Sequence, residues 1–300
     1  MASSPSPPSP PCSTEVESTD TKMKTKVILT GTPETLLVAL YARHLERQLP
    51  NPVLDDQTAT AIIEQLNYDF PGLGVGRTTT TLAGIRGKVY DGWVLDFLAR
   101  HPTGATVLNM ACGLDTRAHR LKCGTGGGGS VRWIDVDLPD VVELRRKTIP
   151  DPTEGNYTLM AGSALDPAFV ATLPNDWPTV IVMEGFCAYL PEADGKAMVA
   201  DFCQHFKCGG EMMFDNIGRF MLAVQGTLGF LKKTSSSLKW AMDDPKDLEK
   251  VHEGLKLVDA IPTRGLDGIK NDGLWHRFLW WVSGLFPSTR KAIQYVRYVF

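Results

Sequence analysis

Four short stretches of this chain set small and acidic residues directly after an apolar run. The first is Ala111-Cys112-Gly113-Leu114-Asp115-Thr116, and the second holds Asp135 and Asp137, which lie 22 and 24 residues beyond Gly113. The third is Gly162-Ser163-Ala164-Leu165 and the fourth is Glu184-Gly185. A small-residue turn between a strand and a helix lets backbone approach a ligand closely, and an acid at the tip of the next strand can grip both hydroxyls of a ribose. The spacing to either acid slightly exceeds the roughly 20 residues usual in a dinucleotide-binding unit. The glycine-rich stretch GTGGGGS at 124–130 accounts for the excess. The chemistry implied is that of an enzyme that uses a nucleotide-containing cofactor.

These stretches converge only if parallel strands deliver them, because ligands of such sheets sit outside the carboxyl ends of the strands. The hydrophobic pattern predicts strands at 106–110, 131–136, 156–160, 179–183 and 211–214, with helices at 115–121, 139–148, 166–173 and 191–206 between them. This rhythm predicts a doubly wound, mostly parallel α/β sheet of Rossmann-like type with helices on both faces. Helices at about 217–230 and 245–254 and a closing strand at 293–300 follow. Ahead of the core, three helices form a cap. One opens at Thr32-Pro33, carries Leu37, Tyr41, Leu45 and Leu49 at helical spacing, and stops at Asn51-Pro52. A second covers 57–66. A third covers about 79–100, where Gly84, Gly87 and Gly92 mark a kink or a close contact. The expected organisation is a Ser/Pro-rich, disordered tail at 1–26 and a single domain at 27–300. That domain comprises a helical cap at 27–103 and a Rossmann-like core at 104–300, whose helices at about 215–255 would build a substrate pocket.

Composition narrows the function further. Of the 300 residues, 43% are hydrophobic and 22% charged, with a net charge of −3, so nothing marks a surface for nucleic acid. No apolar run reaches the ~18 residues needed to span a bilayer, and the tail lacks the apolar core of a secretory signal. The six cysteines form no C-x-x-C pair, so no metal site is expected, and reduced thiols fit a cytoplasmic protein. Cys112 reads either as a small residue fitting a tight turn or as a neighbour of the ligand.

The strings NMACGLDTRAHRL, DVDLPDVVELRR and VMEGFCAYLP resemble the signature blocks of the leucine carboxyl methyltransferase family. LYARHLERQLPNPVLDD, LNYDF and KWAMDDPKDLEKVHEGLKL are similar to its polyketide O-methyltransferase branch, so the resemblance spans roughly residues 35–300. It implies a class I methyltransferase fold and S-adenosylmethionine as methyl donor. It further implies that Arg86 pairs with the methionine carboxylate and that the turn at Ala111 and Gly113, with Asp115 and Thr116, cradles the methionine part. Asp137 would take the ribose hydroxyls, Ser163, Ala164 and Leu165 would flank the adenine, and Glu184 would face the ammonium or the methyl-transfer region. The chain departs from the family pattern twice. Ala111 replaces the first glycine of G-x-G, which is acceptable with a negative φ. Ala164 stands where an aspartate often contacts adenine, with Asp166 two residues on.

Methyl transfer to an oxygen of a small-molecule acceptor is the expected reaction. A carboxylate acceptor is already ionised at neutral pH, whereas a phenol must lose a proton. None of the six histidines stands in a pattern that marks a base, which favours a carboxyl acceptor. Tyr189 reads equally as a pocket or a core residue. So do Phe220, Met221, Leu222, Phe230, Leu231, Trp240 and Met242, which with Trp275, Trp280 and Trp281 would line an apolar pocket for an aromatic, polyketide-like metabolite. Competing readings are a protein C-terminal leucine carboxyl methyltransferase and an S-adenosylmethionine-binding protein without catalysis. A nicotinamide dehydrogenase is disfavoured, because the turn lacks G-x-G-x-x-G.

Overall fold

The computed structural model describes residues 25–26, 35–123, 130–234, 236–263, 289 and 291–300. The tail at 1–24, the helix start at Thr32-Pro33, residues 124–129 and the tryptophans at 275, 280 and 281 lie outside the described residues.

Helices α1 (Thr35–Arg47), α2 (Gln57–Gln65) and α3 (Arg77–Arg100) precede the sheet, and a short parallel pair joins β1 (Thr25–Lys26) to β2 (Leu66–Asn67). Strand and helix then alternate: β3 (Ala105–Met110), α4 (Arg117–Arg120), β4 (Val131–Asp137), α5 (Pro139–Thr148), β5 (Asn156–Ala161), α6 (Pro167–Val170), β6 (Thr179–Met183), α7 (Glu192–His205) and β7 (Gly210–Ile217). Short helices α8 (Arg219–Val224) and α9 (Gly229–Lys233) lead to β8 (Lys256–Pro262) and β9 (Ile293–Val299). The seven-stranded sheet has the order β5-β4-β3-β6-β7-β9-β8. Strands β3 to β7 run parallel, and β9 is antiparallel to both β7 and β8.

The five parallel strands form where the apolar runs predict them, and the central ones are mostly apolar because both their faces are covered. Every residue of β3 and of β6 is buried. Alternate side chains serve opposite faces: Val107, Val180 and Val182 meet α3, whereas Leu108, Ile181 and Met183 meet α7. Four expectations need correction, among them the helix expected at 166–173, which is the single turn Pro167–Val170. The helix expected at 115–121 is a single turn, because Asp115 and Thr116 still belong to the loop. The helix expected at 217–230 is two pieces joined by a 3-10 turn at Gln225–Thr227. The segment at 245–254 is a 3-10 helix, Pro245–Val251, and β8 follows it as a strand that the sequence reading did not include.

Two of the three glycines of α3, Gly84 and Gly87, mark close contacts. A Cβ on Gly87 would stand 2.7 Å from the Leu54 side chain, and one on Gly84 would stand 2.5 Å from Glu46. Glu46 is buried and cannot yield, because its carboxylate accepts the backbone N–H groups of Val53, Leu54 and Asp55. Gly92 faces open space. Thermal unfolding therefore separates the three. Gly92→Ala raises stability by about 0.5–1 kcal/mol through helix propensity. Gly84→Ala and Gly87→Ala lower it by about 1–3 kcal/mol through overpacking. Equal shifts at all three positions would show that the contacts do not matter.

Candidate active site

The order of the sheet reverses at β3, so the exits of β3, β4, β5, β6 and β7 open onto one crevice. After β3 the chain turns sharply, with Ala111 and Gly113 both at φ +51°. The expectation of a negative φ at Ala111 is thus overturned. The left-handed conformation puts its Cβ against the following carbonyl and costs roughly 1–2 kcal/mol. A Cβ added at Gly113 would lie 3.4 Å from the Leu36 Cβ, so α1 sits directly over this turn. Cys112 is buried, its N–H donates to the Val136 carbonyl at 3.0 Å, and burial pushes its thiol well above the usual range.

The two acids of β4 separate by depth. Asp135 is fully buried; one oxygen accepts from Trp133 Nε1 at 2.9 Å and Asn109 Nδ2 at 3.2 Å, the other from Tyr157 OH at 2.9 Å and from Arg145. Asp137 lies at the strand tip. It accepts Gly113 N–H at 2.6 Å and Leu138 N–H at 2.7 Å, and burial raises its pKa although both N–H groups oppose this. Asp135 therefore holds the sheet together and Asp137 ties the crevice edge to the turn. Arg145, which sequence reasoning missed, braces the same turn through the carbonyls of Gly113 at 3.1 Å and Asp115 at 2.6 Å.

Asp115 and Thr116 turn inward. Asp115 accepts from Arg117 Nη1 at 2.5 Å and Arg120 Nη1 at 3.3 Å. Burial alone would raise its pKa, yet Arg117 and Arg120 hold it well below the usual carboxylate range. Thr116 donates to Asp56, the N-cap of α2, at 2.5 Å. Arg117 is fully buried and reaches three carboxylates at once: Nε on Asp91 at 2.8 Å, Nη1 on Asp115, and Nη2 on Glu184 at 2.5 Å. Arg120 bonds Asp91 at 2.9 Å and Asp56 at 3.1 Å.

Glu184 follows β6. Its Oε1 accepts from Arg86 Nε at 3.0 Å, and Arg43 Nη1 lies 4.0 Å away. Burial opposes its ionisation, but Arg86 and Arg117 keep its pKa below the usual value. Arg86 also donates Nη1 to Asp215, at the end of β7, at 3.4 Å. Asp215 accepts Tyr90 OH at 2.8 Å and the N–H of Gly185 as well. Arg43, Asp91, Arg117 and Asp215 were all missed. Only Asp215 carried a readable signal, an acid closing an apolar strand as Glu184 does. Tyr189 is half-buried near Arg86 and Asp215, and burial pushes its pKa up to about 12.

After β5, Ser163 Oγ accepts Leu165 N–H at 3.2 Å, Ala164 is buried, and Leu165 is exposed. Leu138, beside Asp137, is exposed too. Asp166 caps α6 through Ala168 N–H at 2.9 Å. Among the residues expected in an apolar pocket, Leu231, Trp240 and Met242 are buried, with Trp240 stacked on Phe214. Phe220 is exposed and α8 buries none of its residues, while Phe230 packs on the α1 cluster and Lys233 Nζ bonds the Gly72 carbonyl at 2.5 Å.

A mostly parallel sheet extended by an antiparallel β9, with a glycine turn and an acid at the strand tips beside its switch point, has the class I methyltransferase fold. A DUF574 family protein of Streptomyces avermitilis shares the fold at a TM-score of 0.53 and 13% identity, over 89% of this chain and 97% of its own. The leucine carboxyl methyltransferase family matches residues 35–202, and the chain belongs to it as an S-adenosylmethionine-dependent methyltransferase. It is 36% identical to the tetracenomycin polyketide synthesis O-methyltransferase TcmP of Streptomyces glaucescens, over 77% of this chain and 83% of the relative. It is 34% identical to the S-adenosyl-L-methionine-dependent methyltransferase dpfgK of Gibberella zeae, over 79% and 84%.

Two substitutions read this site through urea unfolding. Arg117→Met leaves three buried carboxylates without their shared cation and lowers stability by about 3–5 kcal/mol. Ala111→Gly relieves the left-handed strain and raises stability by up to about 1 kcal/mol; a loss there would mean that the turn is unstrained.

Proposed function

We propose that the chain transfers a methyl group from S-adenosylmethionine to a carboxyl or hydroxyl oxygen of a small, aromatic or polyketide-like metabolite. The observation that carries this reading is the placement of two groups at the strand exits on either side of β3. Asp137 is tied to the Gly113 turn on one side. On the other, Arg86 lies against Gly185 beside Glu184, with its side chain 21% exposed, the most of the four arginines in the charge cluster.

The residues fit the donor. It carries a sulfonium, an ammonium and a carboxylate, hence one net positive charge. The described cluster sets Arg43, Arg86, Arg117 and Arg120 against Asp56, Asp91, Asp115, Glu184 and Asp215, an excess of one carboxylate. Such an excess in a water-poor site favours a cation. Asp137 would accept the ribose hydroxyls, and Arg86 would offer a fork to the carboxylate. The exposed Leu138 and Leu165 with Ser163 and Ala164 would flank the adenine, Ala111, Gly113, Asp115 and Thr116 would shape the turn, and Glu184 would offset the ammonium.

When bound, S-adenosylmethionine supplies an already activated methyl group, so the protein's contribution is orientation. The described histidines are engaged away from the strand exits. His44 bonds Thr60, His101 the Phe97 carbonyl, His119 the Pro150 carbonyl and His205 the Leu173 carbonyl, and His252 accepts from Gly254. An acceptor that needs no base, a carboxylate, suits this arrangement. The acceptor would enter between α1 and the segment 219–234, where Phe220, Met221, Leu222 and Phe230 offer apolar surface. Tyr189 would stand on the inner side.

Calorimetric titration with S-adenosylmethionine tests the donor half. Asp137→Ala weakens binding by at least about tenfold through lost hydrogen bonds to a charged acceptor, and no binding by the unaltered protein would sink the reading. Ribose recognition needs the Asp137 carboxylate, whose pKa is raised. Affinity is therefore complete above that pKa and declines as pH falls through it, at a pH above the ordinary aspartate range, and Asp137→Asn flattens the profile. Mild alkali distinguishes acceptors: an ester product hydrolyses and an ether survives.

A further inference from the structure

Arg86 is held at two of its three guanidinium nitrogens. Its Nε meets Glu184 and its Nη1 meets Asp215, while its Nη2 bonds no described residue. The guanidinium lies against Gly185, where an added Cβ would stand 3.5 Å from Nη1 and 3.6 Å from Nη2. Gly185 adopts φ +67°, a conformation that suits glycine and keeps this face clear. What fixes the whole arrangement is the Asp215 carboxylate. One of its oxygens takes both the Gly185 N–H and Arg86 Nη1, and the other takes Tyr90 OH at 2.8 Å. Arg86 and Tyr90 are one turn apart on α3, so Asp215 grips the helix at two points while holding the turn that follows Glu184. It is buried, and it stands beyond the 35–202 region that defines the family.

We propose that Asp215 is the positioning residue that aims Arg86 at the carboxylate of the methyl donor. The inference rests on the reading of Arg86 given above. An arginine side chain has four rotatable bonds to fix along its stem, and a bidentate contact requires its fork to lie in the plane of the incoming carboxylate. Glu184 alone holds one nitrogen and leaves the fork free to swing about that contact. Asp215 adds the second point and fixes the plane. Tyr90, whose hydroxyl is buried, in turn keeps the Asp215 carboxylate from rotating.

The test compares two ligands by calorimetry on the full chain: S-adenosylmethionine and its decarboxylated analogue, which keeps the adenosine, the sulfonium and the amine. Unaltered protein prefers the carboxylated ligand. Asp215→Asn keeps the shape, weakens S-adenosylmethionine by about tenfold, as expected for one charge-assisted contact, and leaves the analogue within twofold. Tyr90→Phe moves the ratio in the same direction by a smaller factor without changing any charge, which keeps the inference open to test should Asp215→Asn fold poorly. Equal weakening of both ligands, or an unchanged preference in Asp215→Asn, overturns the proposal. Arg86→Met separates the two layers. If it abolishes the preference while Asp215→Asn retains it, only the positioning role falls. If it retains the preference, the donor carboxylate is held elsewhere and the reading of Arg86 falls with it.

Discussion

The buried Arg117 guanidinium is the interaction on which the site depends. Taking one such ion out of water costs several kcal/mol, and only good geometry with every donor satisfied offsets this. Arg117 meets that condition with three carboxylates from three different elements: Asp91 of α3, Asp115 of the turn after β3, and Glu184 at the end of β6. Each of these acids would be costly to bury alone, and together they would repel. The cation converts that repulsion into a fixed triangle that sets where the helix, the turn and the strand exit stand relative to one another. Arg120 extends the triangle to Asp56, which caps α2 and accepts from Thr116. The charge cluster therefore binds the segments ahead of the sheet to the crevice itself.

Seen from this network, the turn after β3 serves as structure on its inner side and as a surface on its outer side. Asp115 and Thr116 face inward to the arginines. Arg145 takes the carbonyls of Gly113 and Asp115, and Asp137 takes the Gly113 N–H. With both its polar backbone directions held, the turn tolerates Ala111 at a positive φ. The strain sits where surrounding contacts determine the backbone more strongly than local preference does.

The sheet was legible in the sequence because its central strands are buried on both faces and read as continuous apolar runs. β8 was not, since Lys256–Pro262 lacks strict alternation, carries an irregularity between Leu257 and Asp259, and gains its identity only by pairing with β9 at the sheet edge. In the candidate site, the strand-end positions of Asp137 and Glu184 were legible from acids closing apolar runs, and Arg86 was singled out by the family resemblance alone. Asp115 and Thr116 were legible as members of the turn, but the inward direction of their side chains was not. Arg117, Arg120, Asp91 and Arg43 could not be read, because their pairings cross long stretches of chain; Arg117 meets Glu184 at a separation of 67 residues. Periodicity reports which face is apolar and is silent on which buried charge meets which. For the same reason Trp240 and Met242, read as equally suited to a pocket or a core, could be assigned to the core only once their neighbours were known.

Packing and chemistry meet in α3. Glycine inside a helix costs about 1 kcal/mol relative to alanine, and α3 carries two on the side that meets Glu46 and Leu54. Their lack of side chains lets the end of α1 and the loop after it settle close to α3. That approach is what brings Arg43 to the Leu114 carbonyl at 2.8 Å and to Asp56 at 3.2 Å, and so brings α1 over the Gly113 turn. The same helix supplies Arg86, Tyr90 and Asp91 to the crevice, all within two turns of those glycines. A helix optimised for its own propensity would stand further from α1, and the charges it delivers would lose the neighbours that make their burial tolerable.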